Sequence, residues 1–228
     1  ALCRAENVDV IIALGGGSAI DSAKAMAVGV KYPGDMWDFH IGKAVSTDAL
    51  PLGVVPTLPA AGSEGSNSCV ITNEETGLKR GSTSDANRPL FAALNPELTF
   101  TLPPYQTACG VTDMMGHIIE RYFTHTEHVM LTDELCEGVM RTIVANAPVC
   151  LREPENYDAR AEIMLSAWIA HNNMLGIGRE GDWASHQIEH ELSAKYDIAH
   201  GAGLAVLYPW WLRYTIHTDY ARGARFGE

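Results

Sequence analysis

Short apolar runs broken by turn residues fill roughly the first hundred positions, and long stretches of helical period fill the rest. Val8-Asp9-Val10-Ile11-Ile12-Ala13-Leu14 is apolar and rich in β-branched residues, which predicts a central strand. Gly15-Gly16-Gly17-Ser18 follows, and Ala19 to Ala27 predicts a helix that Ser18 could cap. Lys31 to Leu50 is polar and irregular, a loop with room for one short turn. Leu52 to Val55 predicts a second strand, ending in the small and hydroxyl residues Pro56-Thr57-Leu58-Pro59-Ala60-Ala61-Gly62-Ser63-Glu64. Such a run packs no core, but it can line a pocket with N–H groups and hydroxyls; otherwise it is a surface loop. Cys69 to Thr72 reads as a strand, and Asn73-Glu74-Glu75-Thr76-Gly77 is turn chemistry, so a hairpin is expected. Pro89 to Leu94 predicts a further buried strand, closed by Asn95-Pro96.

The character changes at Leu102-Pro103-Pro104. Helices are expected from Tyr105 to Thr124, Leu131 to Leu151, Asp158 to Met174, and Asp182 to Tyr196 with Asp182 as N-cap. A fifth runs from His200 to His217, kinked or broken near Pro209. Leu204, Val206, Leu207, Trp210, Trp211 and Leu212 make it apolar nearly all round, which predicts burial. The layout is an α/β part over residues 1–102, a parallel sheet with a hairpin, followed by an all-helical part over 103–228.

Composition narrows the classes. The 228 residues can bury a proper core, and 46% apolar with 19% charged residues is ordinary for a globular protein. A net charge of −12 argues against nucleic acid, whose affinity comes mostly from phosphate neutralisation by Lys and Arg, and against an anionic membrane surface. No apolar run approaches the length of a membrane span. The five cysteines are odd in number and widely spaced with no CxxC, which predicts free, mostly buried thiols in a reducing, cytoplasmic compartment. Cys109, four residues before Asp113, could face the site. The chain opens at Ala1 without Met and no signal-peptide pattern, and stops just after a helical stretch, as an internal piece of a longer chain would.

Two patterns carry candidate chemistry. The strand–glycine turn–helix at Gly15-Gly16-Gly17-Ser18 is a place where backbone N–H groups and a helix N-terminus can meet a phosphate, although the same run also makes a plain tight turn. It is not the GxGxxG fingerprint. Asp113 and His117, four apart on one predicted helix, present a carboxylate and an imidazole to the same side. Of the nine histidines, His186 and His200 are the best candidates to complete the set. One Asp and three His suit Fe(II), Zn(II) or Mn(II) better than Ca²⁺. His186-x-x-Glu189-His190 also matches an H-x-x-E-H zinc peptidase pattern, with Glu189 as general base. That alternative leaves Asp113, His117 and the glycine turn without a role.

Together these residues resemble the iron-containing (group III) metal-dependent alcohol dehydrogenase family, within the dehydroquinate synthase-like superfamily, and most of all its butanol dehydrogenase and broad aldehyde reductase branch. The resemblance is carried by Gly15 to Lys24 (GGGSAIDSAK), Thr57 to Glu64 (TLPAAGSE), Thr101-Leu102-Pro103-Pro104, Asp113-x3-His117 and Glu153 to Arg160 (EPENYDAR). Asp182-Trp183-Ala184-x-His186, His190-Glu191-Leu192 and His200 complete it. It implies a Rossmann-like α/β domain that binds NAD(P)(H), a helical domain holding Fe(II) or Zn(II) in the cleft, and interconversion of a primary alcohol and its aldehyde. It places metal ligands at Asp113, His117, His186 and His200, and His190 near nicotinamide and substrate as a proton relay. The cofactor site falls on Gly16, Gly17, Ser18, Asp21, Thr57, Ser63 and Lys79, and a homodimer is implied. Ala61 stands where many members carry Thr, a lost hydroxyl that Ser63 or water could replace. Full-length members are longer at both ends, and their N-terminal part discriminates NADH from NADPH. Glycerol-dehydrogenase-like and dehydroquinate-synthase-like members are the nearest rivals, and an inactive metal-binding fragment is a remote one.

Overall fold

The computed structural model describes residues 2–228. A short helix α1 (Leu2–Ala5) leads into β1 (Ile11–Gly15), α2 (Gly17–Lys31), β2 (Leu52–Pro56), β3 (Ser68–Asn73), β4 (Leu78–Thr83) and β5 (Phe91–Ala92). β2 lies between β1 and β5 and is parallel to both, with Ile11 opposite Leu52 and Gly53 opposite Phe91. β3 and β4 form the expected antiparallel hairpin as a separate two-stranded sheet. One face of the parallel sheet packs on α2 through Ala13, Ile20, Ala23, Leu52 and Val54.

Three expectations need correction here, and a fourth holds. Among the described residues β1 is an edge strand rather than a central one, and Val10, Ile12 and Leu14 are half or more exposed, because α2 covers only one sheet face. The run from Pro89 pairs over only two residues, and Leu90 and Phe91 are exposed rather than buried. Ser18 does not cap α2: Gly16 occupies the N-cap with no side-chain bond, and Ser18 is already inside the first turn. The polar 31–50 segment holds a single 3-10 turn, Met36–Phe39.

The rest is helical: α3 (Pro104–Tyr122), α4 (Met130–Arg152), α5 (Tyr157–His171), α6 (Ala184–Tyr196), α7 (His200–Thr215) and α8 (Tyr220–Phe226). Met114, Ile118, Tyr122, Ile143, Ile163 and Leu204 are fully or almost fully buried in their common core. α5 stops at His171, sooner than expected, because Asn173 turns left-handed (φ 75°) and a 3-10 turn at Met174–Gly176 follows. α7 continues past Pro209 as one helix to Thr215. It is not buried all round: Leu204 and Tyr208 face the core, while Val206, Trp210 and Tyr214 are exposed. The start of α6 also differs, since Asp182 accepts from the Ala184 N–H (2.9 Å) but Trp183 holds the N-cap position.

Close backbone approach sets where α3 stands. A Cβ on Gly110 would lie 2.3 Å from the Pro59 carbonyl oxygen, so only glycine lets α3 press against the loop after β2. A Cβ on Gly201 would lie 2.0 Å from the Cys109 carbonyl oxygen, so α7 starts in backbone contact with α3. These two contacts bring the glycine-turn half and the helical half of the chain to one cavity.

Candidate active site

α3, α6 and α7 each deliver one donor to a tight cluster. Ligand atoms of Asp113, His186 and His200 lie within 4.8 Å of one another. His186 Nε2 stands 3.6 Å and His200 Nε2 3.7 Å from Asp113 Oδ1. Asp113 Oδ1 and His186 Nε2 are buried with no hydrogen-bond partner among the described residues. Buried polar atoms are seldom left unpaired, and two facing each other fit an ion that accepts both lone pairs. Two nitrogens and a carboxylate oxygen suit a borderline divalent cation.

The histidines are held from behind. His186 Nδ1–H donates to Glu120 Oε2 and His200 Nδ1–H donates to Glu189 Oε2. Each bond fixes the tautomer that turns the Nε2 lone pair towards the cluster, the carboxylate–histidine arrangement of metal sites. Glu120 also reaches the start of α6, where its Oε1 accepts from the Ser185 N–H (2.8 Å) and the His186 N–H (3.2 Å). One fully buried carboxylate on α3 thus caps α6 and orients its first ring. Glu120 went unnoticed in the sequence; its only signal was a carboxylate seven residues after Asp113, two helical turns along the same side.

His117 adjoins the cluster: its Nδ1 lies 3.3 Å from Asp113 Oδ1, although it is not one of the three residues that converge. Its Nδ1–H donates to the Asp113 carbonyl oxygen (3.1 Å), and its ring packs 4.4 Å from that of His186 and 4.1 Å from that of His171. Burial first, then His171 and His186, hold its pKa well below the ordinary value. His186 is the opposite case: burial opposes its charge, but Asp113 and Glu120 outweigh it and raise the ring to about 9. His190 lines the cavity, its ring 5.4 Å from that of His200, and burial, His200 and Lys79 push it down to about 3. Glu189 is fully buried and accepts from His200 and Ser193, so it has no free oxygen with which to act as a peptidase base.

The glycine turn opens into the same cavity. A space of about 1040 Å³ runs from Gly17, Ser18 and Asp21, past Ser63 and Lys79, to Asp113, His117, His186, His190 and His200. Gly15, at φ +153°, lets β1 turn directly into α2, whose first residues, Gly17 and Ser18, line this space. Gly16 and Thr57 do not line it; Gly16 is the N-cap, and the Thr57 N–H donates to the Gly15 carbonyl (3.0 Å). Asp21 and Ser63 spend their polar atoms on each other and on the Val70 N–H (2.9 Å), so Ser63 has no spare hydroxyl proton to replace one lost at Ala61. Lys24, fully buried, donates to the Ser66 (2.9 Å) and Ser68 (2.7 Å) carbonyls and ties α2 to the hairpin. Cys109 does reach the cavity wall, and all five cysteines are free. Trp168 lines a separate space of about 530 Å³ beside Leu90 and Phe91, whereas His171 lines the main one.

A parallel α/β unit with a glycine turn, sharing one cavity with a carboxylate–imidazole cluster on three helices, defines a two-part architecture with a metal-type centre at the junction. Residues 1–96 match the family model described as iron-containing alcohol dehydrogenase, and residues 107–227 match that of the Fe-containing alcohol dehydrogenase family, C-terminal. The chain belongs to the iron-containing alcohol dehydrogenase family. It is 48% identical to the probable NADH-dependent butanol dehydrogenase 2 of Bacillus subtilis, over 97% of this chain and 57% of that protein. It is 40% identical to the NADPH-dependent aldehyde reductase YqhD of Escherichia coli, over 91% of this chain and 54% of that one. The crystal structure of NADH-dependent butanol dehydrogenase A from Thermotoga maritima superposes with a TM-score of 0.95 at 43% identity, covering 98% of this chain and 56% of the other. The chain thus spans little more than half the length of these relatives. Among the described residues, no helix is long and apolar enough to cross a membrane.

Proposed function

We propose that the full-length protein is an NAD(P)(H)-dependent oxidoreductase that interconverts a primary alcohol and its aldehyde at a divalent metal centre. The observation that carries this is the single cavity joining the Gly17 turn to the Asp113–His186–His200 cluster, with Asp113 Oδ1 and His186 Nε2 facing each other unpaired. Residues 1–102 form the cofactor half and 103–228 the metal half. The names of the relatives, butanol dehydrogenase and aldehyde reductase, support the substrate class.

When bound, the ion supplies Lewis acidity and the nicotinamide carries the hydride. Asp113, His186 and His200, with His117 3.3 Å from Asp113 Oδ1, would hold the ion, either Fe(II) or Zn(II). Glu120 and Glu189 keep the two Nε2 lone pairs aimed. The N–H groups at Gly17 and Ser18 would receive the pyrophosphate, with Lys79 as a nearby cation; Asp21 and Ser63 shape that wall, Thr57 braces the Gly15 carbonyl behind it, and Gly16 lets the helix begin there. His190, neutral and a weak base in the cavity wall, serves as a hydrogen-bonding relay that passes the alcohol proton outward without storing it. The free thiols support a reducing, cytoplasmic setting, and the family resemblance supports a homodimer.

The test is oxidation of NADH and NADPH with butyraldehyde by the full-length chain, reconstituted anaerobically with Fe(II) or Zn(II), beside a chelated control. Metal-dependent consumption is expected with at least one cofactor. Stoichiometric metal binding with no consumption of either would overturn the reading.

A further inference from the structure

His171, the last residue of α5, stands where the two halves of the cavity meet. On one side its Cβ rests on Gly62 of the small-residue loop, where an added Cβ would come within 2.9 Å of it; Gly62 is left-handed at φ +61°. On the other side its ring lies 4.1 Å from that of His117 and 6.0 Å from that of Trp183. Arg121 Nη2 stands 3.2 Å from His171 Nδ1. A guanidinium can only donate, so Nδ1 must carry the lone pair, and the ring proton belongs on Nε2.

Arg121 is itself fixed. It is almost fully buried, its Nη1 donates to the His117 carbonyl (2.7 Å), and its guanidinium stacks 4.5 Å over Trp183. The His171 tautomer is therefore set by a group that cannot swing away. The Nε2–H has no partner among the described residues, yet it is not among the sealed, unpaired atoms. His171 lines the cavity, so this N–H is a donor left unused at its wall.

We infer that His171 is a specificity-determining residue whose Nε2–H receives a second oxygen of the substrate, selecting aldehydes and alcohols that carry a further hydroxyl or carbonyl oxygen near the reacting carbon over plain alkyl ones. The inference rests on the proposed reaction, in which the first oxygen is bound at the Asp113–His186–His200 cluster. An alkyl chain at that position leaves the N–H unpaired in a confined wall, whereas an oxygen satisfies it. Arg121 acts through His171 and is a positioning residue.

The test compares 3-hydroxybutanal with butanal on the metal-loaded, full-length protein, as wild type, His171→Leu and His171→Gln. Leucine removes the donor, and the Gln side-chain amide places an N–H close to where Nε2–H stood. The wild-type ratio of kcat/KM for the two aldehydes is expected to fall about tenfold in His171→Leu and to recover in His171→Gln, the worth of one hydrogen bond. An unchanged ratio in His171→Leu overturns the inference. A wild type that turns over neither aldehyde sinks the proposed reaction instead. In that case calorimetric binding of 1,3-butanediol and 1-butanol to the same three proteins decides: a diol preference lost only in His171→Leu supports the inference, and equal binding in all three overturns it.

Discussion

Asp113 Oδ1 and His186 Nε2 face each other at 3.6 Å, both buried and neither hydrogen-bonded. A proton can bridge this pair, and so can a cation, and the two compete. Burial resists a charge on His186, but Asp113 and Glu120 outweigh it and raise the ring to about 9, against an ordinary 6.5. At neutral pH the metal-free ring is protonated, and metal must displace that proton.

The pH dependence follows in sign. A histidine raised in the folded state stabilises the metal-free fold fully below pH 6.5 and loses that contribution as pH rises through about 9. The melting temperature of metal-free protein should therefore fall between pH 7 and pH 9.5. Apparent Zn(II) affinity should rise about tenfold per pH unit over pH 7 to 9, one proton being released per ion. Competition titrations with a chelator at three pH values measure the slope; a flat profile would mean that His186 is not displaced.

Glu120→Gln separates shape from charge. The amide keeps an oxygen for the Ser185 and His186 N–H groups, so α6 stays capped. Its NH₂ group must then donate to His186 Nδ1, which drives the ring proton to Nε2, into the cluster. Metal affinity should drop at least 10-fold and as much as 100-fold while the far-UV circular dichroism is preserved. Wild-type affinity in a folded Glu120→Gln protein would remove Glu120 from the site.

His200→Ala and His190→Ala should part company. The first removes a donor of the cluster and leaves Glu189 buried without its main partner, so metal is lost along with turnover. The second spares the donors; metal remains near one per chain while kcat falls, by about 100-fold at most, as for loss of a proton relay. Elemental analysis of both proteins checks this, and full occupancy in His200→Ala would sink the ligand assignment.

Gly201→Ala tests the seam between α3 and α7. The new methyl would overlap the Cys109 carbonyl, a backbone atom with nowhere to go, beside both His200 and the helix that carries Asp113. We expect a loss of about 2–3 kcal/mol, a melting temperature lower by roughly 4–12 °C, and weakened metal binding. A variant as stable as wild type would show that the seam opens freely.

The helical half was largely legible in the sequence because amphipathic period over 15 to 20 residues is a strong signal, and because Asp113 and His117 share one helix face. The strand register of β5 and the edge position of β1 were not, since an apolar run does not say how many neighbours it has. α7 misled for a related reason: apolar residues at Val206 and Trp210 read as core, yet only one side of the helix is covered. Asp113, His186 and His200 do come together, while His117 lies beside them. Glu120 and Glu189 were opaque as supports, because a carboxylate on a helix usually faces solvent, and only tertiary packing turned these two inward. Asp21 and Ser63 were recognisable as motif residues, but the motif did not reveal that they bond to each other.

Backbone contact at Gly201 means that the spacing of the donor helices is written into the main chain rather than into the ion. An ion entering such a socket cannot redraw it and must accept the bond directions on offer. Exchange of one divalent metal for another should therefore leave the protein's shape alone, and a difference in turnover between Fe(II) and Zn(II) forms would report the temperament of the ion itself.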